Sequence, residues 1–374
     1  MKKIPRAGAV AAAAITTLAL AAGASPALAA SSRSAVFVQT DNLTGNAIVA
    51  YQRAENGTLI QAATYPTGGL GGQLAGSVVD HLASQGSLAY DAQNQLLYAV
   101  NAGSNTVSVF AVYGDQLALR QTIASGGKFP SSITVHDNVV YVLNSLDGGR
   151  LQGFDVVSGH LVAIPGSTRP LKLTTSEEPV FVHTPGQVAF SPSGSQLIVT
   201  TKASGSDVDV FSVAPNGQLS STPVVNPEGG SVPFAVSFNH DGGLVLAEAA
   251  GYVASFTLGA GGELSQLDQV ATNQAATCWI VRAQGRDYTS NAGSGTLTEF
   301  QPSEGGALLT DLGNTPTDGG TVDAASTASG SFIYVQTGAA GIVDEFAVGA
   351  QGALTEIGSV TVPGAAGGEG IVAS

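Results

Sequence analysis

Two ionisable residues fall where chemistry could be done. Glu248 and Lys202 each follow an apolar run, 244–247 and 196–201, at points where a strand should be passing into the interior. A carboxylate facing an ammonium across a partly dry mouth suits a general acid or base, or a clamp on a ligand. The same two charges equally suit a structural ion pair. Equivalent positions elsewhere in the chain are neutral: Thr40, Asn101, Asn144, Thr201, Asn291 and Thr337. Such a ring could offer hydrogen bonds to a ligand, or cap strand ends and satisfy the turns that follow. Trp279, the single tryptophan, provides a flat face for a sugar or other ring compound, or packs into the rim. His183 could act as a general base or stand solvated in its loop. Cys278 has no base among Thr277, Trp279 and Ile280, and reads as a small apolar residue. The candidate catalytic pair is therefore Glu248 and Lys202, with Asn101, Asn144, Thr201, His183, Trp279 and Asn291 as ligand-binding candidates. No Gly-x-Ser-x-Gly elbow, His-Glu-x-x-His helix, phosphate-cradling loop or EF-hand series is present. The histidines at 81, 136, 160, 183 and 240 lack ligand spacing, so neither a metal nor a cofactor is expected.

Positioning these residues falls to a repeat. An aromatic residue followed within eight positions by leucine recurs seven times: Tyr51 with Leu59, Phe110 with Leu117, Phe154 with Leu161, Phe211 with Leu219, Phe256 with Leu264, Phe300 with Leu308, and Phe346 with Leu354. Between each pair of anchors, turn chemistry alternates with short runs of Val, Ile, Phe and Thr. Within 187–225, four such runs are separated by 191–195, 204–206 and 215–217, all rich in Gly, Pro, Ser and Asn. After the N-terminal segment nothing sustains a 3.6-residue apolar period, so helix should be nearly absent. Seven units of four strands predict an all-β, seven-bladed β-propeller. The run 35–40 matches a second strand and 369–374 a first strand. The C-terminal strand should therefore complete blade one by pairing with the N-terminal one, closing the ring. Two insertions break the period: 66–85, Gly-rich with Asp80 and His81, and 166–184, with Arg169, Lys172, Glu177, Glu178 and His183. Both join a fourth strand to the next first strand, so they should rise on the face that carries the second-strand ends.

Residues 1–30 read as a secretory signal peptide rather than fold. Lys2, Lys3 and Arg6 precede a short apolar stretch at 9–22, and Ala27-Leu28-Ala29 is a small-x-small cleavage site with Ala30 as the alternative last residue. The mature domain is then 31–374, outside the cell. Removing those three basic residues leaves 10 against 27 acidic ones, a net charge of −17. Such a surface repels phosphate backbones and anionic lipid, so neither nucleic acid nor a membrane is expected as partner. One cysteine excludes an internal disulfide. A monomer is expected, with a small-molecule ligand or an extracellular protein or cell-wall partner.

Two units carry a family likeness. Leu97-Tyr-Ala-Val-Asn-Ala-Gly-Ser-Asn-Thr-Val-Ser-Val-Phe110 and Tyr288-Thr-Ser-Asn-Ala-Gly-Ser-Gly-Thr-Leu-Thr-Glu-Phe300 resemble the YVTN-type repeats of lactonase-family seven-bladed propellers, which include 6-phosphogluconolactonase and carboxymuconate cyclase relatives. The resemblance spans the mature chain, is closest to secreted bacterial members, and implies a lactonase-like pocket. The gluconolactonase branch starts one inner strand with Gly-Pro-Arg-His and ends the next strand with Glu. Here Ser231-Val-Pro-Phe-Ala235 is followed by Glu248, so the Pro and Glu match while Phe234 and Ala235 stand at the Arg and His positions. A further His of that branch falls near Gly186, with His183 three residues upstream. Loss of the basic residues implies a neutral substrate, a sugar or lactone, rather than a phosphorylated one. A non-catalytic extracellular scaffold is the alternative.

Overall fold

The computed structural model describes residues 1–3 and 34–374, apart from 175, 176, 240, 304, 305 and 307. The apolar stretch and cleavage site of the expected leader lie outside the described residues. Residues Ser32–Ser374 form one compact unit.

Seven antiparallel sheets follow one another along the chain, each ordered from its first strand outward to its fourth. Blade five is typical: Pro233–Phe238, Leu244–Glu248, Tyr252–Leu258 and Leu264–Ala271 pair in sequence order. The first strands of successive blades are neighbours. The last of them, Thr321–Ser326, touches Ile371–Ala373, which in turn touches Leu88–Asp91 of blade two, so the circle closes. Blade one is completed as its sequence suggests. Ile371–Ala373 pairs with Ala35–Gln39 through Val36↔Ala373, Phe37↔Val372 and Val38↔Ile371. Gln39 N–H donates to the Gly370 carbonyl at 2.8 Å and Ser374 N–H to that of Ala35 at 2.8 Å, continuing the ladder at both ends.

The repeat has a physical reading. The seven aromatic anchors, Tyr51, Phe110, Phe154, Phe211, Phe256, Phe300 and Phe346, are all buried on third strands and fill the spaces between blades. Second-strand tyrosines bridge to the next blade: the hydroxyls of Tyr141, Tyr288 and Tyr334 donate to the carbonyls of Gly217, Gly352 and Gly57, each at 2.7 Å. Those glycines sit in the turn between third and fourth strands with positive φ. A Cβ on Gly57 would lie 2.2 Å from the Phe332 ring, so this turn accepts only glycine.

Three details differ from the sequence reading. In blade six the buried leucine is Leu309, while Leu308 is exposed, because the turn that closes the Pro302↔Leu309 pair is one residue longer than its counterparts at Arg53↔Leu59, Leu258↔Leu264 and Val348↔Leu354. In blade four the fourth strand is Val224–Pro227; Leu219 makes only an isolated bridge to Val213, and the chain turns through Ser220–Pro223 before pairing resumes. Blade three carries an additional short strand, Arg169–Pro170, from the second insertion. Helix among the described residues is limited to single turns at Ala102–Ser104, Val180–Val182 and Lys202–Gly205 and to Gly306.

Candidate functional site

The first insertion folds inward instead of standing up as a surface loop. Leu74, Leu82 and Ala83 are buried with Phe129 and Ile133 of the propeller. From there the segment crosses the axis and is fastened on every side. His81 N–H donates to the Gly367 carbonyl at 2.8 Å and Gln85 N–H to that of Gly186 at 3.0 Å. The Ser84 hydroxyl donates to the Ser131 carbonyl at 2.9 Å, and the Trp279 indole N–H to the Ser84 carbonyl at 2.5 Å. Gln85 exchanges two hydrogen bonds with the backbone of Ile280. Val79 rests on blade seven: a Cβ on Gly338 would come within 1.6 Å of its carbonyl oxygen. The axial mouth is therefore roofed by residues of 74–85.

Lys202 is the post beneath this roof. Its side chain is buried, and its ammonium donates to the carbonyls of Ala83 (2.5 Å) and Phe181 (2.6 Å) and to the Thr184 hydroxyl (3.0 Å). One lysine thus pins both insertions to blade four. It also lies 5.3 Å from the centroid of the Phe234 ring. Burial lowers its pKa to about 8, opposed by the nearby acids Asp80, Cys278 and Glu369.

Beside this post opens a pocket of about 320 Å³ lined by Ser77, Val78, Val79, Asp80, Ala83, Phe181, Phe234, Ala276, Cys278, Trp279, Ala292 and Gly293. Its size suits a small ligand. Trp279 and Phe234 form one wall, their rings tilted by 58° with centroids 4.7 Å apart. The lining is apolar apart from Asp80, the Ser77 hydroxyl and backbone groups; the Ser77 hydroxyl is turned back onto the Leu74 carbonyl. Burial pushes the Asp80 carboxyl up, against hydrogen bonds from its surroundings and the Lys202 charge, and pushes Glu369 behind it well up. Asp323, also buried, is raised to about 7. The Cys278 thiol is pushed far up by burial, which keeps it protonated. No group of three or more His, Cys, Asp or Glu among the described residues is arranged to hold a metal ion.

The residues singled out from sequence fall in four places. Trp279 lines the axial pocket and Lys202 stands beside it, over the Phe234 ring. Asn101, Asn144, Asn291 and Thr201 stand at the second-strand ends of four different blades, outside the pocket lining, with their polar atoms committed. Asn101 donates to Thr106 and Ser108, Asn144 to the Ser125 and Arg150 carbonyls, and Asn291 to Thr296 and Thr298; the Thr201 hydroxyl exchanges bonds with the Asp207 backbone. They close the turns after the second strands. His183 lies 3.0 Å from Glu177 at a separate small cavity beside Leu173 and Thr174. Glu248 does not meet Lys202. It is wholly buried on the face of blade five turned toward blade four, where the Gln269 amide donates to its Oε2 at 2.6 Å and Glu228 is the neighbouring charge. Burial raises its pKa. The acids that do reach the axis, Asp80 and Glu369, were visible only as the carboxylate of a Gly-rich insertion and as the residue entering the closing strand.

No protein-family model matches the chain, and no curated protein matches it significantly. Solved structures do. A protein from Bacteroides fragilis described as a candidate 6-phosphogluconolactonase is 20% identical, with 92% of this chain and 99% of that one covered and a TM-score of 0.71. A periplasmic gluconolactonase from Pseudomonas aeruginosa is 17% identical over 91% and 98% of the two chains, TM-score 0.71. A virginiamycin B lyase from Staphylococcus aureus is more distant, 11% identical over 72% and 82%, TM-score 0.52. The fold is that of the 6-phosphogluconolactonase-like seven-bladed propellers.

Proposed function

We propose that this lactonase-like propeller binds a small neutral ring compound, a lactone or sugar, in the axial pocket beneath the 74–85 roof. One observation carries the reading: a pocket of about 320 Å³ lined by an aromatic pair, Trp279 with Phe234, and by a single buried carboxyl, Asp80. Aromatic faces suit the flat apolar side of a ring, and one acid suits a hydroxyl or carbonyl at its edge. No Lys or Arg lines the pocket, so a phosphate or carboxylate would enter without a counter-charge. The lactonase-like fold agrees with a cyclic ester but does not itself choose one. In this reading Trp279 touches the ligand, Lys202 positions the roof through Ala83 and Phe181, and Glu248, the Asn residues and His183 act elsewhere. A thermal-shift screen of neutral lactones and monosaccharides should raise the melting temperature for at least one lactone and leave it unmoved by its phosphorylated counterpart. A panel with no shift would favour the scaffold reading instead.

We further propose that the protein is exported and works as a monomer. The basic, apolar and small-residue pattern of 1–30 supports the first point, and an exported chain beginning at Ala30 or Ser31 would bear it out. No helix among the described residues is long and apolar enough to cross a membrane.

A further inference from the structure

Asp80 is held in an unusual way. Its Oδ1 accepts the Leu82 N–H at 3.0 Å, while its Oδ2 is buried and receives no N–H or O–H from the protein. The side chain facing it is another acid, Glu369, close enough for each carboxyl to shift the other's titration. Glu369 is itself fixed from behind: its Oε1 accepts the Ser84 hydroxyl at 2.7 Å and its Oε2 the Ser84 N–H at 3.3 Å. Two carboxylates have no hydrogen between them to share, so the contact requires one proton on the pair. Lys202 is the nearby cation, but its ammonium protons go to Ala83, Phe181 and Thr184, so it supplies charge without taking the dyad's proton. Asp323 adds a second negative influence at the pair. Asp80 lines the pocket, and Glu369 is fully buried behind it.

We propose that Asp80 is the catalytic acid–base group of the axial pocket, working as a one-proton dyad with Glu369 on a neutral cyclic ester. The inference rests on the axial pocket being the ligand site. The substrate class follows from the lining: Asp80, backed by Glu369, and apolar walls repel an anion, and an ester presents no charge of its own. In the reaction the singly protonated dyad takes a proton from water through Asp80 as the water oxygen bonds to the ester carbonyl carbon. The ring C–O bond then breaks, and the dyad returns one proton to the departing ring oxygen. One water is consumed, one hydroxy acid is formed, and the dyad again holds a single proton. Glu369 is a positioning residue that carries the shared proton toward Asp80 and leaves the Asp80 carboxylate free to accept from water.

The test uses the full mature chain, glucono-1,5-lactone and unsubstituted δ-lactones, with ring opening followed by acid release and binding by the emission of Trp279. Wild-type turnover should fall at both ends of the pH range, as the dyad becomes doubly protonated in acid and loses its last proton in alkali. Asp80→Asn should cut kcat by about 100-fold or more while still binding lactone. Glu369→Gln supplies a permanent amide donor to Asp80, so turnover should persist and its alkaline limb should disappear. An Asp80→Asn variant as active as wild type, or a Glu369→Gln variant with the wild-type pH profile, overturns the dyad. Should Asp80→Asn melt early, the Glu369→Gln profile still decides. Lactone binding without turnover in wild type overturns the dyad and leaves the pocket reading standing, whereas absence of binding removes both.

Discussion

At the scale of single residues, alternation decides which groups meet. Ala247 and Glu248 are adjacent, yet Ala247 packs with Trp279 and Cys278 while Glu248 faces blade four. A strand turns successive side chains to opposite faces, so a one-residue difference in register removes a carboxylate from the axis. Sequence spacing locates the strand end but not this facing, which is why Glu248 and Lys202 looked like a pair. Lys202 itself was legible as an inward group, since it breaks a neutral ring of strand ends. Its role was not legible, because its three acceptors lie 18 to 119 residues away in the two insertions. Replacing it tests that role. Lys202→Met would leave the Ala83 and Phe181 carbonyls without a donor, each costing about 1–3 kcal/mol, offset in part by removing a buried charge. The expected net effect is a melting temperature lower by about 5 °C and earlier proteolysis within 66–85 and 166–184, read by mass spectrometry of the fragments. An unchanged melt and cleavage pattern would remove Lys202 as the fastening of the roof.

At the scale of elements, the blades were readable and the insertions only half so. Aromatic anchors, turn glycines and alternating apolar runs each specify a local strand, and their sevenfold recurrence leaves a ring as the arrangement that buries every sheet face. The Glu369 segment was readable as a first strand because it repeats the pattern. The inward fold of 66–85 carries no such periodic sign: its contacts with Ser131, Gly186, Trp279, Gly338 and Gly367 come from five places far apart in sequence. Closure by Ile371–Ala373 makes the truncation of 370–374 informative. It would expose the edge of Ala35–Gln39, strip the ladder bonds to Gly370 and Ser374, and uncover Ile371's partners. Because Glu369 sits next to the cut, the roof should loosen with the ring. A loss of about 3 kcal/mol or more is expected in urea unfolding, well beyond an ordinary tail truncation. A midpoint within error of wild type would mean that closure by this strand contributes nothing.

At the scale of the whole molecule, burial of acids sets the pH response. Asp209, Glu228 and Asp323 are raised to about 7 and Asp344 to about 6, in each case chiefly by desolvation, and Asp80 and Glu369 are raised as well. A folded-state pKa above the unfolded value near 4 means that the native state holds protons the unfolded chain has released. The contribution is complete below about pH 4 and is lost as pH climbs through the folded values, so stability should fall between pH 5 and pH 7.5. Each fully buried group contributes about 1 kcal/mol per pH unit in that interval, less for the partly exposed Glu228. The chain's formal charge of −14 pushes in the same direction by self-repulsion. The melting temperature at pH 5 should exceed that at pH 8 by about 5–10 °C; a higher value at pH 8 would show that these carboxyls ionise freely in the folded protein.

The most direct measurement is a titration of neutral lactones against the emission of Trp279, since the single tryptophan forms the wall of the axial pocket. Wild type should show a saturable change in intensity and wavelength for at least one ring compound. Glu248→Gln should match it, and Ala292→Phe, which fills the pocket beside Trp279, should abolish it. A saturable signal that survives in Ala292→Phe, or disappears in Glu248→Gln, would contradict an axial ligand site.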